Sequence, residues 1–374
     1  MMGQAPKSIL VINVTRIGDT LLAVPALRAL ATAWPDARLT VLGHPKRVAV
    51  LENLPFLAEV GPITNQRAVF RGWLPGHKYD LALVYGHDEA LLKYAFRVAR
   101  RVVAFRQSSQ DINARLYKEV EEAVPHSEHA VDAALRLVRA LGLPPAGRRL
   151  QFALSIEERA EAETLIAAKS LAGHHPLIGF QVACFPTKAY RDWPEAHFID
   201  LCKRVLALKP GAAFVIFGGP DDREKVSRIQ AALGPMAVDL AGLSLRRTAG
   251  VMSLLDAYVG VDTGPTHIMG CFDIPLVALY HCKLPHRCYG AQDHPYDFFV
   301  EHPRLGVLRL LRFISIASPS PTGRKTKLRF LPVSIKSGNG SWPTIDTTAS
   351  CGRRRIWPGG VRCPTVTLLR TSAL

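Results

Sequence analysis

Short apolar segments alternate with amphipathic ones over the first 300 residues, and this alternation restricts the fold more than any other feature. Residues 8–14 (SILVINV) form an apolar run of strand length, and residues 19–33 behind them repeat apolar side chains at helical spacing. Apolar strands joined by amphipathic helices form parallel sheets with helices on their faces. The sequence therefore predicts an α/β fold.

The same alternation predicts the remaining elements. Further strands are expected at residues 38–42, 80–85, 101–105, 176–180, 212–217, 257–261 and 275–280. Further helices are expected at residues 129–141, 155–169, 194–208 and 243–255. The helix from residue 155 opens with the capping-box pattern Ser155-Ile156-Glu157-Glu158. A break near residues 142–175 divides the elements into two halves that repeat in architecture but not in sequence.

We expect a first domain at residues 1–165, a second at 170–304 and an atypical tail at 305–374. The tail holds 16 Ser or Thr and 12 Lys or Arg, with Asp346 as its sole acid, and its periodicity fades. Segments of this composition have little apolar surface to bury and are typically disordered. Residues 1–304 carry 35 of the 47 basic and 30 of the 31 acidic residues, a net charge of +5. This modest charge disfavours a nucleic-acid partner.

Cysteine usage and hydropathy indicate a cytoplasmic protein. The seven cysteines are odd in number and scattered, which favours a reducing compartment. No signal peptide and no apolar run of membrane-spanning length are evident, although attachment to a membrane surface stays open. Cys282, His286 and Cys288 lack a fourth ligand, so we predict no metal site, and no cofactor.

The first candidate motif, residues 15–22 (TRIGDTLL), is a turn between a strand and a helix. Gly18 permits a tight backbone there, and Asp19 lies near the helix N-terminus. Ligands of open α/β sheets bind at this edge, where a carboxylate can remove a proton from an attacking hydroxyl. Simple capping of the helix by Asp19 explains the motif about as well. No G-x-G-x-x-G occurs, which disfavours a dehydrogenase.

The second motif is a strand-to-helix turn in which amide groups favour an anion and hydroxyl and imidazole groups add donors. It consists of Asp262, Thr263, Gly264, Pro265, Thr266 and His267. A third motif, residues 187–194 (TKAYRDWP), offers Thr187, Lys188 and Arg191. The positive charges of Lys188 and Arg191 would offset the charge of a departing diphosphate. Asp221 and Asp222 follow a later strand, where they either contact a ribose or only begin a helix.

In this order, residues 9–30, 187–198 and 239–275 resemble glycosyltransferase family 9, the ADP-heptose:lipopolysaccharide heptosyltransferases. The resemblance covers roughly residues 7–300. It implies a GT-B fold of two Rossmann-like domains facing a cleft, with metal-independent, inverting transfer of a heptose from an ADP-sugar. The acceptor is expected to be lipid-linked or a core oligosaccharide.

The resemblance also implies roles for single residues. Asp19 matches the general base of the family, with Arg16 and Gly18 in the acceptor-side loop. Residues 262–267 match the diphosphate loop, and Asp221 or Asp222 lies near the ribose-contacting position. Arg191 stands where the family usually has Lys, so Lys188 and Arg191 both stay candidates for the phosphate contact.

The tail is the larger departure, because GT-B chains generally finish with a helix that returns to the first half. We hypothesise that the reading frame was lost near residue 305; the competing explanation is a genuine basic tail that docks on anionic lipid. Two other functions stay open: a nucleotide-sugar epimerase of the same fold, and a non-catalytic sugar-nucleotide-binding module that lacks the closing helix.

Overall fold

The computed structural model describes residues 4–74, 76–281 and 283–302, together with Ile314–Ser315 and Phe330–Leu331. Two six-stranded parallel sheets dominate this part of the chain. The first half contains β1 Ser8–Asn13, β2 Arg38–Gly43, β3 Glu59–Pro62, β4 Leu81–Tyr85, β5 Val102–Phe105 and β6 Lys118–Val120. The second half contains β7 Leu177–Gln181, β8 Ala213–Phe217, β9 Ala237–Asp239, β10 Ala257–Val261, β11 Leu276–His281 and β12 Asp297–His302.

Helices connect most successive strands, whereas only a short 3-10 turn at Val48–Leu51 lies between β2 and β3. Those that follow strands of the first half are α1 Ile17–Leu22, α2 Val24–Ala33, α3 Asn65–Phe70, α4 Glu89–Val98, α5 Gln110–Asn113 and α6 Ala130–Arg139. Then come α7 Ile156–Ala168, α8 Glu195–Leu208, α9 Arg223–Leu233, α10 Leu245–Met252, α11 Gly264–Met269 and α12 His286–Tyr289. None of these helices combines the length and apolar character that crossing a bilayer requires.

Both sheets have the same strand order. The first runs β3-β2-β1-β4-β5-β6, and the second, read from its β9 edge, runs β9-β8-β7-β10-β11-β12. In each sheet the chain first adds strands to one side of its first strand and then to the other side. This switch in strand order lies between β1 and β4 in the first sheet and between β7 and β10 in the second. Ligands of open α/β sheets bind beside this switch, at the carboxyl ends of the strands. The expectation that the halves repeat in architecture is confirmed.

All eight predicted strands are present, each with limits within one residue of those expected. The capping box is also present: Ser155 Oγ accepts from the Glu158 amide at 3.2 Å, and the Glu158 carboxylate accepts from the Ser155 amide at 2.8 Å. The single helix expected over residues 19–33 is wrong, because α1 and α2 meet at Ala23. Pro25 follows within the first turn of α2, and a proline lacks the amide hydrogen that a continuous helix needs.

The two halves are joined by polar contacts as well as by apolar packing. Arg246 of α10 pairs with Glu158 of α7, and its guanidinium also donates to the carbonyl of Ala49 in the first half at 2.8 Å. Arg149 pairs with Asp273 at 2.7 Å. In the tail, Ile314–Ser315 pairs antiparallel with Phe330–Leu331. The other residues of the predicted tail lie outside the described part of the chain.

Candidate active site

Three of the predicted motifs follow strands that border these switches in strand order. Residues 15–22 follow β1, residues 187–194 follow β7 and residues 262–267 follow β10, the neighbour of β7. All three therefore leave the carboxyl ends of their strands, where the sequence placed them.

Two glycines let the first and second halves touch beside these motifs. A Cβ atom on Gly18 would lie 2.6 Å from Cδ2 of His267, and one on Gly264 would lie 2.8 Å from Cβ of Ile17. Both separations are far below ordinary van der Waals contact, so a Cβ atom at either position would displace the side chain that faces it. The contacts bring the acceptor-side turn predicted at Gly18 directly against the predicted diphosphate loop.

Asp19 is exposed beside this contact. Arg16 occupies the N-cap of α1, so Asp19 lies in the first turn and does not cap the helix. Its carboxylate has no hydrogen bond or ion pair with any residue that the structure describes. Burial raises the pKa of the nearby Tyr289 phenol, and the negative charges of Asp19 and Asp262 raise it further. Asp19 is thus an unpaired carboxylate close to the second half.

Asp262 organises the opposite side of the contact. This carboxylate is only 4% exposed and forms a buried ion pair with Nη2 of Arg191, which also donates to the Asp262 carbonyl oxygen. Nε2 of His267 lies 3.5 Å from Oδ1 of the same carboxylate. These contacts hold Arg191 and His267 beside the Asp262 carboxylate, and a buried carboxylate by itself repels a phosphate group.

Two polar atoms at this cluster are buried without a partner among the described residues: Nε of Arg191 and Oγ1 of Thr263. Buried polar groups normally form hydrogen bonds, and groups that do not are available to a ligand. The Thr266 hydroxyl, which was expected to donate to a phosphate, donates within the protein instead. It donates to the Val261 carbonyl oxygen at 2.6 Å and lies 3.1 Å from the Tyr258 hydroxyl, so its hydrogen is already used within the loop.

Of the two candidate cations after β7, Arg191 is the one joined to the Asp262 loop. Lys188 stays outside this cluster, with its Nζ 5.9 Å from the centre of the Tyr190 ring, and Thr187 is exposed. Asp192 fixes the turn between Arg191 and the buried Trp193, because its carboxylate accepts from the Cys184 amide and from Lys225, both at 2.7 Å.

The two carboxylates after β8 have different surroundings. Asp222 accepts from the Gly219 amide at 2.7 Å, three residues earlier in the chain, and burial raises its pKa. Asp221 is exposed. Of the two ribose candidates, Asp221 is therefore the one whose carboxylate is not already engaged by the backbone.

Residues around His129 near the site were not anticipated from the sequence. His129 Nδ1 accepts from the Val131 amide at 3.1 Å, so Nε2 carries the proton that it donates to the Gly290 carbonyl oxygen at 2.9 Å. Burial lowers the pKa of His129 to about 4. The neutral imidazole thus joins α6 to the segment that follows α12. The one feature of the sequence that could have drawn attention to His129 is its position immediately before an amphipathic helix.

Of the Cys-His-Cys candidates, His286 and Cys288 form contacts with other residues. Cys282 lies outside the described residues, His286 Nε2 lies 2.8 Å from Asp297 Oδ2, and Cys288 Sγ donates to the His126 carbonyl oxygen at 3.4 Å. Across the described residues, no group of three or more His, Cys, Asp or Glu side chains is arranged to hold a metal ion.

Comparison with known proteins identifies the family of the chain. The sequence model of glycosyltransferase family 9 (heptosyltransferase) matches residues 72–296. Lipopolysaccharide heptosyltransferase 1 of Pseudomonas aeruginosa is 26% identical over 73% of this chain and 78% of that protein. Lipopolysaccharide heptosyltransferase 2 of Salmonella typhimurium is 26% identical over 74% and 83%, respectively.

Solved structures show the same fold. A family 9 glycosyltransferase from Veillonella parvula superposes with a TM-score of 0.68 at 22% identity, over 79% of this chain and 86% of that one. ADP-heptose lipopolysaccharide heptosyltransferase II of E. coli superposes with a TM-score of 0.65 at 21% identity, over 82% of this chain and 91% of that one. The predicted GT-B fold is confirmed.

Proposed function

Since the chain belongs to glycosyltransferase family 9, the heptosyltransferase family, we propose that this glycosyltransferase moves a heptose from ADP-heptose to a lipopolysaccharide-core acceptor. Relatives named as lipopolysaccharide heptosyltransferases, and a solved E. coli heptosyltransferase with ADP, support this donor and acceptor. The observation that carries the proposal is the placement of the unpaired Asp19 carboxylate beside the Arg191–Asp262–His267 cluster.

In the proposed reaction, Asp19 accepts the proton of the acceptor hydroxyl as its oxygen attacks the anomeric carbon. The bond from that carbon to the diphosphate breaks, and the attack from the opposite face inverts the configuration. An exposed carboxylate without a partner keeps its lone pairs available for this proton. Neither a metal nor a cofactor takes part in these steps.

The second half stabilises the leaving ADP in this proposal. Arg191 supplies a positive charge that Asp262 holds in place, and its unpartnered Nε is free to donate to a phosphate oxygen. The Thr263 hydroxyl is a second unpartnered donor. His267, and the amide of Gly264, complete the diphosphate side. Donors fixed before the reaction stabilise developing charge more effectively than mobile ones.

Four further residues lie at the edge of the proposed donor site. Thr187 is exposed and Lys188 is half-buried in the segment after β7, where Lys188 adds long-range attraction for an anionic donor. Asp221 is the proposed ribose contact. Pro265 fixes the start of α11 and donates no hydrogen bond.

Replacement of Asp19 tests the base assignment. We expect Asp19→Ala to lower kcat by about 10²–10⁴-fold while the Kd for ADP-heptose stays nearly unchanged, because the carboxylate acts on the acceptor. Asp36→Ala, at another exposed carboxylate of the first half, is the matched control and should transfer normally. Transfer by Asp19→Ala at the wild-type rate would make the base assignment wrong. Donor binding by the wild type without any transfer would instead support a non-catalytic module.

We further propose that the enzyme works on the cytoplasmic face of the inner membrane in peripheral contact with the bilayer, with no nucleic-acid partner. A lipid-linked acceptor supports this location, since its reactive sugar is held close to the membrane. The modest charge of residues 1–304 supports the exclusion of nucleic acid.

A further inference from the structure

An apolar patch faces solvent at the end of α3 and in the loop behind it. The patch consists of Val69, Phe70, Trp73 and Leu74, of which the last three are 82%, 69% and 87% exposed. Single exposed apolar side chains are common on soluble proteins, but a contiguous group with two aromatic rings marks an interaction surface.

The patch is held in its outward position by ordered contacts. Trp73 Nε1 donates to the Val69 carbonyl oxygen at 2.8 Å, and the Arg97 guanidinium lies 4.4 Å from the centre of the Trp73 ring. Arg97 also donates to the Arg71 carbonyl oxygen at 2.9 Å. Gly72 lies against Val98 of α4, which anchors the loop to the body of the first half. These contacts fix Trp73 and the loop that carries it.

Positive charge accompanies the patch. Residues 60–79 contain Arg67, Arg71 and Lys78 but no Asp or Glu. The guanidinium of Arg97 adds a fourth cation from α4. Exposed Trp and Phe with flanking Arg and Lys are the composition that binds the interface of an anionic bilayer: the rings enter the headgroup region and the cations meet lipid phosphates.

We propose that this apolar patch docks the enzyme on a bilayer of anionic phospholipid. The proposal rests on the function proposed above, which places the acceptor in a membrane, and it names the surface that makes the contact. The charge of the patch complements a negatively charged leaflet, and its side chains match the depth of the headgroup region.

Vesicle flotation with the full chain tests the proposal in the absence of any sugar substrate. The wild type should bind vesicles that contain phosphatidylglycerol more tightly than vesicles of phosphatidylcholine alone. The variant Phe70→Ser/Trp73→Ser/Leu74→Ser should bind the anionic vesicles at least about tenfold more weakly, because it loses most of the apolar area available for insertion. The control Val124→Ser/Ile156→Ser removes side chains that are 73% and 83% exposed elsewhere and should bind like the wild type.

Depth of insertion supplies an independent measurement. Lipids brominated near the headgroup should quench part of the tryptophan fluorescence of the wild type, and Trp73→Phe should lose that component while it still binds. The proposal is overturned if the triple variant binds anionic vesicles as tightly as the wild type, which is the result expected if the basic tail alone holds the lipid. It is equally overturned if the bromolipid signal survives Trp73→Phe.

The proposed function is judged by a separate assay. The triple variant should transfer heptose to a lipid-free core oligosaccharide at the wild-type rate, since the patch takes no part in the chemistry. A wild type that binds vesicles but transfers nothing to that soluble acceptor would refute the function and leave the docking result standing. A triple variant that has lost soluble-acceptor transfer while it remains folded would refute the docking role.

Discussion

Replacing Gly18 by alanine adds one methyl group at the contact between the two halves. The new Cβ would lie 2.6 Å from Cδ2 and 3.0 Å from Nε2 of His267, whereas ordinary carbon contacts begin near 3.4 Å. The imidazole must therefore retreat by about 1 Å, away from a position 3.5 Å from Asp262 Oδ1. Misplacement of a positioning group by about 1 Å costs on the order of 10²-fold in rate. We expect kcat to fall by about that factor, and stability by about 1–3 kcal/mol.

The assay is the rate of ADP release with saturating donor and acceptor, together with urea unfolding. Gly211→Ala is the matched control, because a Cβ there meets the His175 carbonyl oxygen at an ordinary 3.5 Å. A double-mutant cycle isolates the cause: in a His267→Ala background the clash is absent, so Gly18→Ala should cost almost nothing further. An equal cost in both backgrounds, or wild-type kinetics for Gly18→Ala alone, would refute the reasoning.

Three further predictions concern the same region. Arg191→Met should lower the free energy of unfolding by about 3–5 kcal/mol and weaken ADP-heptose binding, because it leaves the Asp262 carboxylate buried without its main partner. Thr263→Val should raise the Kd for ADP-heptose with little effect on stability, whereas Thr266→Val should lower stability by about 1–3 kcal/mol and leave the Kd unchanged. The pKa of His129 is lowered from 6.5 to about 4, so between these values the unfolded chain binds a proton that the folded chain does not. Stability should therefore fall by up to about 3 kcal/mol as the pH drops from 7 to 4, and His129→Gln should remove that part of the slope in urea unfolding.

For each of these three predictions, one result would contradict the reasoning. Adding Asp262→Asn to Arg191→Met should restore stability but not donor binding, and recovery of both would contradict the role given to Arg191. Reversed effects of the two threonine variants, measured by calorimetry and urea unfolding, would return Thr266 to the donor site. An unchanged pH slope in His129→Gln would mean that another group carries it; His87→Gln, at an exposed histidine, is the control.

Interior strands could be predicted from the sequence, whereas edge strands could not. The eight predicted strands are the interior four of each sheet. The four that were missed, β3, β6, β9 and β12, are the outermost strands, and two of them, at residues 59–62 and 118–120, have no buried residue. An interior strand of a parallel sheet is covered on both faces and reads as an apolar run, while an edge strand is short and partly polar.

The candidate site divides in a similar way. The loops after β7 and β10 leave neighbouring strands of one sheet, so Arg191 and the Asp262 loop could be placed together from strand order. Asp19 follows β1 of the other sheet, and its place beside them depends on how the two halves meet. The direction in which a side chain turns within a loop has no such signal, which is why Thr266 was taken for a donor although it bonds to its own strand. Contacts between distant segments, such as His129 with Gly290, depend on how the halves meet and leave no local pattern.

The paired glycines at the contact also constrain which substitutions can accumulate together. A side chain gained at position 18 requires a smaller one at His267, and a side chain gained at position 264 requires a smaller one at Ile17. We therefore expect these four positions to vary as two linked pairs, each with one member in either half. Exchanging a whole half with that of a relative separates both pairs, so the hybrid would fold and act only where the side chains that newly face each other leave the same room.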